Sequence, residues 1–139
     1  MIEGKLTSAQ LRRVQKALST VPYAKLLGIK LEEISPGTAT LSLRVRRELT
    51  QNHGVVHGGA IASIVDTATA FAIISLLEPA EIVTTVDLAI SFLRPVTQGR
   101  LTAIAKVIRA GRRLFVVSAD VFDAQTKLIA TALSTYIKV

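Results

Sequence analysis

The chain contains no cysteine among its 139 residues. This excludes thiol-based catalysis, thiolate metal sites and a disulfide framework, and it fits a reducing compartment. Aromatic residues are also scarce, at 4%, whereas 50% of the residues are hydrophobic. We therefore expect a core built from Ala, Val, Ile and Leu, and one domain that spans residues 1–139.

Long apolar runs are lacking as well. The longest candidate lies between Asp66 and Glu78 and has eleven residues, whereas a membrane-spanning helix needs about 20. The opening stretch MIEGKLTSAQLRRVQKAL is polar and charged, with no apolar core of a signal peptide. We expect a cytoplasmic protein with no membrane partner.

Acidic residues are outnumbered, since 17 Lys and Arg against 10 Asp and Glu give a net charge of +7. The arginines occur as RR, RVRR and RR in three separate places, without a basic tail or an interleaved aromatic patch. We therefore expect no nucleic-acid partner. The charge fits plain solubility, or a phosphate-bearing small molecule or an acidic carrier protein.

Hydrophobic periodicity predicts an amphipathic helix at 8–20, capped by Thr7 or Ser8, and a helical turn that ends at Gly28. Strands are predicted at 29–34, 38–46, 84–93, 100–110, 113–122 and 128–138. The short connections RPVTQG, RAGR and DAQTK join the last four of these strands and predict an antiparallel meander. In segment 58–77 apolar residues fall on every side, which is typical of a buried helix. About six antiparallel strands around one buried helix make an α+β hotdog fold.

The segment NHGVVHGGAIASIVDTATAFAI, Asn52 to Ile73, holds both histidines and a single carboxylate, Asp66. The neighbours of Asp66 one helical turn away are small: Ala62, Ser63, Thr69 and Ala70. They predict a shallow face that a ligand or another chain can approach. A carboxylate in such surroundings is costly unless it is hydrogen-bonded, and such groups are enriched at functional sites. A solvated or capping carboxylate is the alternative.

Together with VTTVDLAISFLRPV and AGRRLFVVSADVFDA, this segment resembles the PaaI-type branch of the hotdog-fold acyl-CoA thioesterases. The likeness extends from PYAKLLGIKL to the last strand. The resemblance implies hydrolysis of an acyl-CoA, with CoA as part of the substrate and with no cofactor or metal.

The resemblance also implies a role for five residues. Asp66 would be the catalytic carboxylate, either as nucleophile or as general base for water. The amide of Gly58 would polarise the thioester carbonyl, and His57 would hold that loop beside the substrate. Asn52 would orient the carboxylate, the water or the carbonyl, and Thr85 would steady the attacking water. Glycines that merely permit a turn and a loop-forming Asn52 are the alternatives.

Strand alternation gives a separate expectation for Thr85. It predicts that Thr85 shares a face with Asp87, Ala89 and Ser91, opposite the apolar positions of the strand. That face would be the subunit interface and not the core.

The spacing of Gly58 and Asp66 predicts an oligomer. Eight residues separate them, which is about 12 Å along a helix, whereas reacting atoms must lie within about 3 to 3.5 Å. One helix therefore cannot bring both groups to one thioester. Two antiparallel helices related by a two-fold axis can, so we expect a homo-oligomer, a dimer at least, with an inactive monomer. The resemblance implies a dimer of dimers.

Arginines can bind the phosphates of CoA through bidentate hydrogen bonds. The candidates are Arg94 and, around one turn, Arg109, Arg112 and Arg113, with backbone N–H groups exposed at Gly111. Solvated turn arginines are the alternative. An acyl carrier protein would suit the same basic surface.

Other chemistries fit less well. His53 and His57 would share a helix face, but Gly54 and the loop deny that geometry, so we expect no metal site. The chain also lacks the G-x-S-x-G motif that is typical of serine hydrolases. An acyl-CoA-binding sensor without turnover is the second hypothesis, and a nucleic-acid binder, with strongly salt-dependent affinity, is the third.

Overall fold

The computed structural model describes residues 4–139. Its helices are α1 (Ser8–Ser19), α2 (Pro22–Leu27) and α3 (Gly58–Ile74), and a short 3-10 turn lies at Arg47–Leu49. The strands are β1 (Lys30–Ser35), β2 (Thr38–Arg44), β3 (Val83–Phe92), β4 (Arg100–Ala110), β5 (Leu114–Phe122) and β6 (Leu128–Lys138). The predicted helices and strands are confirmed, with ends that shift by up to three residues.

The six strands form one antiparallel sheet in the order β1-β2-β4-β5-β6-β3. Helix α3 packs against β2, β4, β5, β3 and β6. The inner sheet face carries alanines among larger buried side chains such as Leu41, Leu43 and Leu101. Buried alanines on these strands are Ala39, Ala103, Ala105, Ala119, Ala130 and Ala132. The hotdog fold and the aliphatic core are confirmed.

One prediction about strand order is wrong. Strands β4, β5 and β6 form the expected meander, but β3 pairs with β6 at the sheet edge and not with β4. The connection 93–99 leads from β3 across to β4. Within it Val96 is buried, and its carbonyl accepts a 2.8 Å hydrogen bond from the Val56 N–H. This crossover ties β3 to the loop that precedes α3.

Helix α3 is not buried on every side, which corrects the expectation from its apolar pattern. Its partly exposed residues recur at helical spacing on one face: Ala62, Ser63, Asp66, Thr67, Ala70 and Ile74. We call this face the open stripe. The sheet covers the opposite side, whereas α1 and α2 cover the open stripe only in part.

Helix α1 begins as predicted. The side chains of Thr7 and Gln10 form a reciprocal capping box, and Val14 and Leu18 bury the apolar face. Helix α2 ends at Gly28 with φ 76°. Within residues 4–139, no helix is both long enough and apolar enough to span a membrane.

Candidate active site

Asp66 lies near the middle of α3, and hydroxyl groups from two strands hold its carboxylate. The Thr85 hydroxyl donates a 2.9 Å hydrogen bond to Asp66 Oδ1. The Tyr136 hydroxyl lies 3.1 Å from the same oxygen and donates to the Asp66 backbone carbonyl at 2.7 Å. Hydrogen bonds to a charged acceptor are among the stronger ones in proteins. The carboxylate is therefore fixed to the sheet through one oxygen.

The second carboxylate oxygen, Oδ2, accepts no hydrogen bond from residues 4–139. No buried side-chain oxygen or nitrogen of these residues lacks a partner, so Oδ2 reaches solvent. It faces an open depression of about 370 Å³ that also exposes Tyr23, Ala62, Ser63, Thr67, Thr85 and Leu88. One oxygen is held and the other is free to meet a substrate or a water molecule.

The position of Thr85 corrects the prediction from strand alternation. Strand β3 contains a bulge, since Thr85 pairs with Tyr136 whereas Asp87 already pairs with Thr135, which leaves Val86 without a partner. Thr85 consequently lies on the inner face with buried Tyr136, and not on the face of Asp87. The bulge aims its hydroxyl at α3.

Tyr136 is a site residue that the sequence analysis missed. It is 2% exposed and also lies 2.8 Å from the hydroxyl of Thr69, which is itself fully buried. Burial raises the pKa of Tyr136 to about 12. The phenol is therefore protonated at neutral pH and acts as a hydrogen-bond donor to Asp66. The burial of Thr69 also corrects its expected place on the shallow face. The alternation of β6 is the signal that could have pointed Tyr136 towards α3.

The start of α3 forms a second polar centre. His57 caps the helix, because its Nδ1 accepts a 2.7 Å hydrogen bond from Gly59 N–H. The N–H of Gly58 has no acceptor among residues 4–139, and it lies at the positive end of the helix dipole. Phe92 packs on Gly58, in a cavity of about 310 Å³ that Arg94 also lines. A carbonyl oxygen could be bound here.

A single chain does not bring these two centres together. Gly58 and Asp66 stay about 12 Å apart along α3, eight residues at 1.5 Å each. Asn52 is exposed in the turn between Gln51 and Val55, and no hydrogen bond joins it, or His57, to Asp66 within residues 4–139. Of the four other proposed catalytic residues, only Thr85 forms a hydrogen bond with Asp66 within residues 4–139.

The candidate phosphate-binding arginines fall into two groups at opposite ends of the sheet. Arg94 follows β3 and donates to the Leu128 carbonyl at 3.0 Å, at the start of β6. The others surround the turn between β4 and β5: Arg109, Arg112 and Arg113. Strand β5 separates the two ends by its nine residues, roughly 27 Å of extended chain.

Gly111 does not expose its amide in the way the sequence analysis expected. Its N–H donates a 2.8 Å hydrogen bond to the Leu114 carbonyl, which closes the turn. A Cβ at this position would lie 2.7 Å from the same carbonyl oxygen, so the turn itself requires glycine. Gly111 therefore shapes the turn and offers no free donor to a phosphate.

Groups of three or more His, Cys, Asp or Glu side chains arranged to hold a metal ion are absent from residues 4–139. His53 lies in the exposed turn before α3, and His57 is occupied as a cap.

Comparison with known proteins agrees with the hotdog fold. The family model of the thioesterase superfamily matches residues 53–130, which include α3 and most of the sheet. The chain belongs to the thioesterase superfamily. Membership supports thioester hydrolysis as its class of activity.

Three relatives of this superfamily member extend over most of its length. A Saccharolobus solfataricus protein provisionally named an esterase is 33% identical over 124 residues, covering 89% of this chain and 82% of its own. The Escherichia coli medium/long-chain acyl-CoA thioesterase YigI is 28% identical over 131 residues, with 84% of each chain covered. The structure of the E. coli PaaI protein, from the phenylacetic acid degradation operon, superposes with a TM-score of 0.88 at 25% identity, covering 97% of this chain and 96% of PaaI.

Proposed function

We propose that this protein hydrolyses acyl-CoA thioesters to a free acid and CoA, with Asp66 as the catalytic carboxylate. The proposal rests on the hydrogen bonding and exposure of that carboxylate. Thr85 and Tyr136 hold one oxygen, and Oδ2 faces an open depression. Superfamily membership supports a thioester as the substrate, and the named activity of YigI supports CoA as the thiol.

A complete site requires a second copy of the chain, and the edge of β3 supports this assembly. Strand β3 is the last strand of the sheet, ten residues long, and Asp87 is its only charged residue. Val86 and Phe92 are more than half exposed along it. A long edge strand with unpaired backbone groups and apolar side chains is a template for pairing with another chain.

Antiparallel pairing of two β3 strands would unite the two polar centres. In each chain Gly58 packs on Phe92 near one end of β3, whereas Asp66 is bound to Thr85 near the other end. A two-fold axis at the middle of β3 lays the Phe92 end of one strand beside the Thr85 end of the other. The free N–H of Gly58 in one subunit then lies near Oδ2 of Asp66 in its partner.

Such a site would hydrolyse the thioester with one molecule of water. The Gly58 N–H binds the thioester carbonyl oxygen and stabilises the negative charge that develops on it. Asp66 Oδ2 takes a proton from water while the water oxygen bonds to the carbonyl carbon. The carbon–sulfur bond then breaks, and the proton passes to the thiolate of CoA. Direct attack by Oδ2, through an anhydride that water later cleaves, gives the same products.

Asn52 and His57 lie in the loop that leads to Gly58. In the dimer they would approach the partner's Asp66. Asn52 would orient the water or the carbonyl there, and His57 holds the helix start in place. Arg94 lines the cavity at Gly58 and would reach the phosphates of CoA. The turn of Arg109, Arg112 and Arg113 is exposed at the other end of the sheet, where CoA or an acidic acyl carrier protein could bind.

The decisive experiment measures release of free thiol from short aliphatic to aryl-acetyl CoA thioesters by the purified protein. Turnover of at least one thioester supports the proposal. Tight binding of acyl-CoA without thiol release over hours would contradict it and favour a sensor. The same assay with an acyl carrier protein thioester then decides which carrier is preferred.

A further inference from the structure

A second cavity, of about 300 Å³, lies between α1, the C-terminal half of α3 and the start of β3. We call it the α1 cavity. Its walls are largely apolar. They include Ala17 of α1, Ala70 and Ile74 of α3, Leu77 in the turn after α3, Ile82, and Val83 of β3. The thioesterase reaction as described above makes no use of it.

The α1 cavity adjoins the catalytic carboxylate along two walls. Ala70 follows Asp66 by one helical turn on the open stripe, which is about 6 Å along the helix axis. Val83 precedes Thr85 by two residues on β3, so both side chains lie on the same face of the strand. The near end of the cavity therefore lies about one helical turn from Asp66, in the direction of the end of α3.

The polar groups around the α1 cavity are mostly committed to other partners. Arg13 donates a 2.8 Å hydrogen bond to the Leu77 carbonyl and thereby caps the end of α3. Glu81 pairs with Lys138 and accepts a 2.8 Å hydrogen bond from the Glu78 N–H. Glu78 itself is exposed at the outer mouth. The inner part of the cavity therefore lacks a hydroxyl or amide that could recognise a polar substituent on an acyl group.

The opposite direction along the open stripe is less suited to a hydrocarbon. There the Tyr23 hydroxyl lies 2.8 Å from Ser63 Oγ, which ties α2 to α3 across the groove. Ser63 in turn donates to the Gly59 carbonyl at 2.7 Å. An acyl chain on that side would meet two hydroxyl groups, whereas on the side of Ala70 it meets mainly apolar side chains, with Arg13 and Glu81 engaged by other partners.

We infer that the α1 cavity is the acyl pocket and that it selects unsubstituted aliphatic chains of medium length; this rests on the proposed function. Helix α3 continues for eight residues beyond Asp66, to Ile74, which is about 12 Å, and Leu77 lies in the turn that follows. A carbon–carbon bond of about 1.5 Å advances an extended chain by roughly 1.3 Å per carbon, which corresponds to about 8 to 12 carbons. Ala17 and Ala70 set the width of the pocket, and Ile74 and Leu77 set its depth.

The test compares decanoyl-CoA with acetyl-CoA in the thiol-release assay. Ala17→Leu narrows the pocket from α1, and Ala70→Leu narrows it from α3. Each should lower kcat/KM for decanoyl-CoA by about tenfold or more, because excluded methylenes lose their burial, and leave acetyl-CoA within about twofold. Ala9→Leu is the matched control, since Ala9 is exposed on the same helix away from the cavity, and it should change neither value.

The inference is overturned if both folded variants keep the wild-type ratio of decanoyl to acetyl activity, or if Ala9→Leu changes that ratio equally. Binding of decanoic acid, measured by calorimetry, separates this inference from the proposed function. Were the wild type to release no thiol at all, the function would fail. The pocket would still stand if decanoic acid binds the wild type and Ala9→Leu but neither Ala17→Leu nor Ala70→Leu.

Discussion

The hydroxyl of Thr85 lies 2.9 Å from Oδ1 of Asp66, and a bulge at Val86 holds it there. This hydrogen bond joins the edge strand of the sheet to the middle of the central helix. With Tyr136 on the same oxygen, it fixes the orientation of the carboxylate and leaves Oδ2 without a hydrogen bond from residues 4–139. Thr85 is thus a positioning residue for Asp66, more directly than for a water molecule.

Replacement of Thr85 tests that role. Thr85→Val keeps the shape of the side chain but removes the donor, so we expect kcat to fall by about 10- to 100-fold, the equivalent of a hydrogen bond to a charged group of roughly 1.5 to 3 kcal/mol. Thr84→Val is the matched control: Thr84 pairs with Ile137 on the opposite face and should retain wild-type kcat. Equal losses in the two variants would contradict the assignment.

Tyr136 should make stability depend on alkaline pH. Its pKa is raised by burial from 10.0 to about 12 in the folded protein. Below pH 10 both folded and unfolded states keep the proton, whereas between pH 10 and 12 only the unfolded state loses it. The free energy of unfolding should therefore fall by about 2 to 3 kcal/mol over this interval through Tyr136 alone.

Urea denaturation from pH 8 to 12 measures this contribution as the difference in the free energy of unfolding between the wild type and Tyr136→Phe. That difference in the free energy of unfolding should shrink as pH rises from 10 to 12. A constant offset for Tyr136→Phe across the range would show that the phenol is not perturbed by folding.

Gly58 can be tested by deletion of its N–H. Gly58 is the first residue of α3, a position at which proline is well tolerated. His57 before it has an extended backbone with ψ 136°, as the residue before a proline requires. Gly58→Pro should fold and lose about 100- to 1,000-fold in kcat, as expected for a missing oxyanion donor. Gly58→Ala keeps the N–H and should stay far more active. Similar activities of the two folded variants would remove the amide from the mechanism.

Mixing inactive variants tests the cross-subunit site. A dimer of one Asp66→Asn chain and one Gly58→Pro chain holds one intact site, made of Asp66 from one chain and the Gly58 N–H from the other. After random reassociation we expect about a quarter of wild-type activity, because about half of the dimers are mixed and each has one of two sites. No recovery, with mixed dimers demonstrated by mass spectrometry, would place both groups in the same chain.

The sequence was sufficient to predict the fold because the relevant signals are local. Alternation in β4, β5 and β6 and the dense apolar pattern of α3 each reflect burial at the spacing of the element itself. The carboxylate in that helix was recognisable because it is the only charge between the start of α3 and Glu78.

What the sequence did not reveal depends on contacts between distant segments. The bulge at Val86 reverses the faces of the residues on either side of it, and no local pattern marks the extra residue. Tyr136 is 70 residues from Asp66, and its role appears only when β6 lies under α3. The pairing of β3 with β6 likewise joins segments that are distant in sequence.

The most direct test of the account compares Asp66→Asn with Asp120→Asn in acyl-CoA hydrolysis. Asp120 is also partly buried and also accepts a hydrogen bond from a threonine on the neighbouring strand, 2.7 Å from Thr131, but that pair lies on the outer face of the sheet. The account predicts that folded Asp66→Asn loses thiol release by about 100- to 10,000-fold and that Asp120→Asn retains it. Thiol release by Asp66→Asn at the wild-type rate would contradict it.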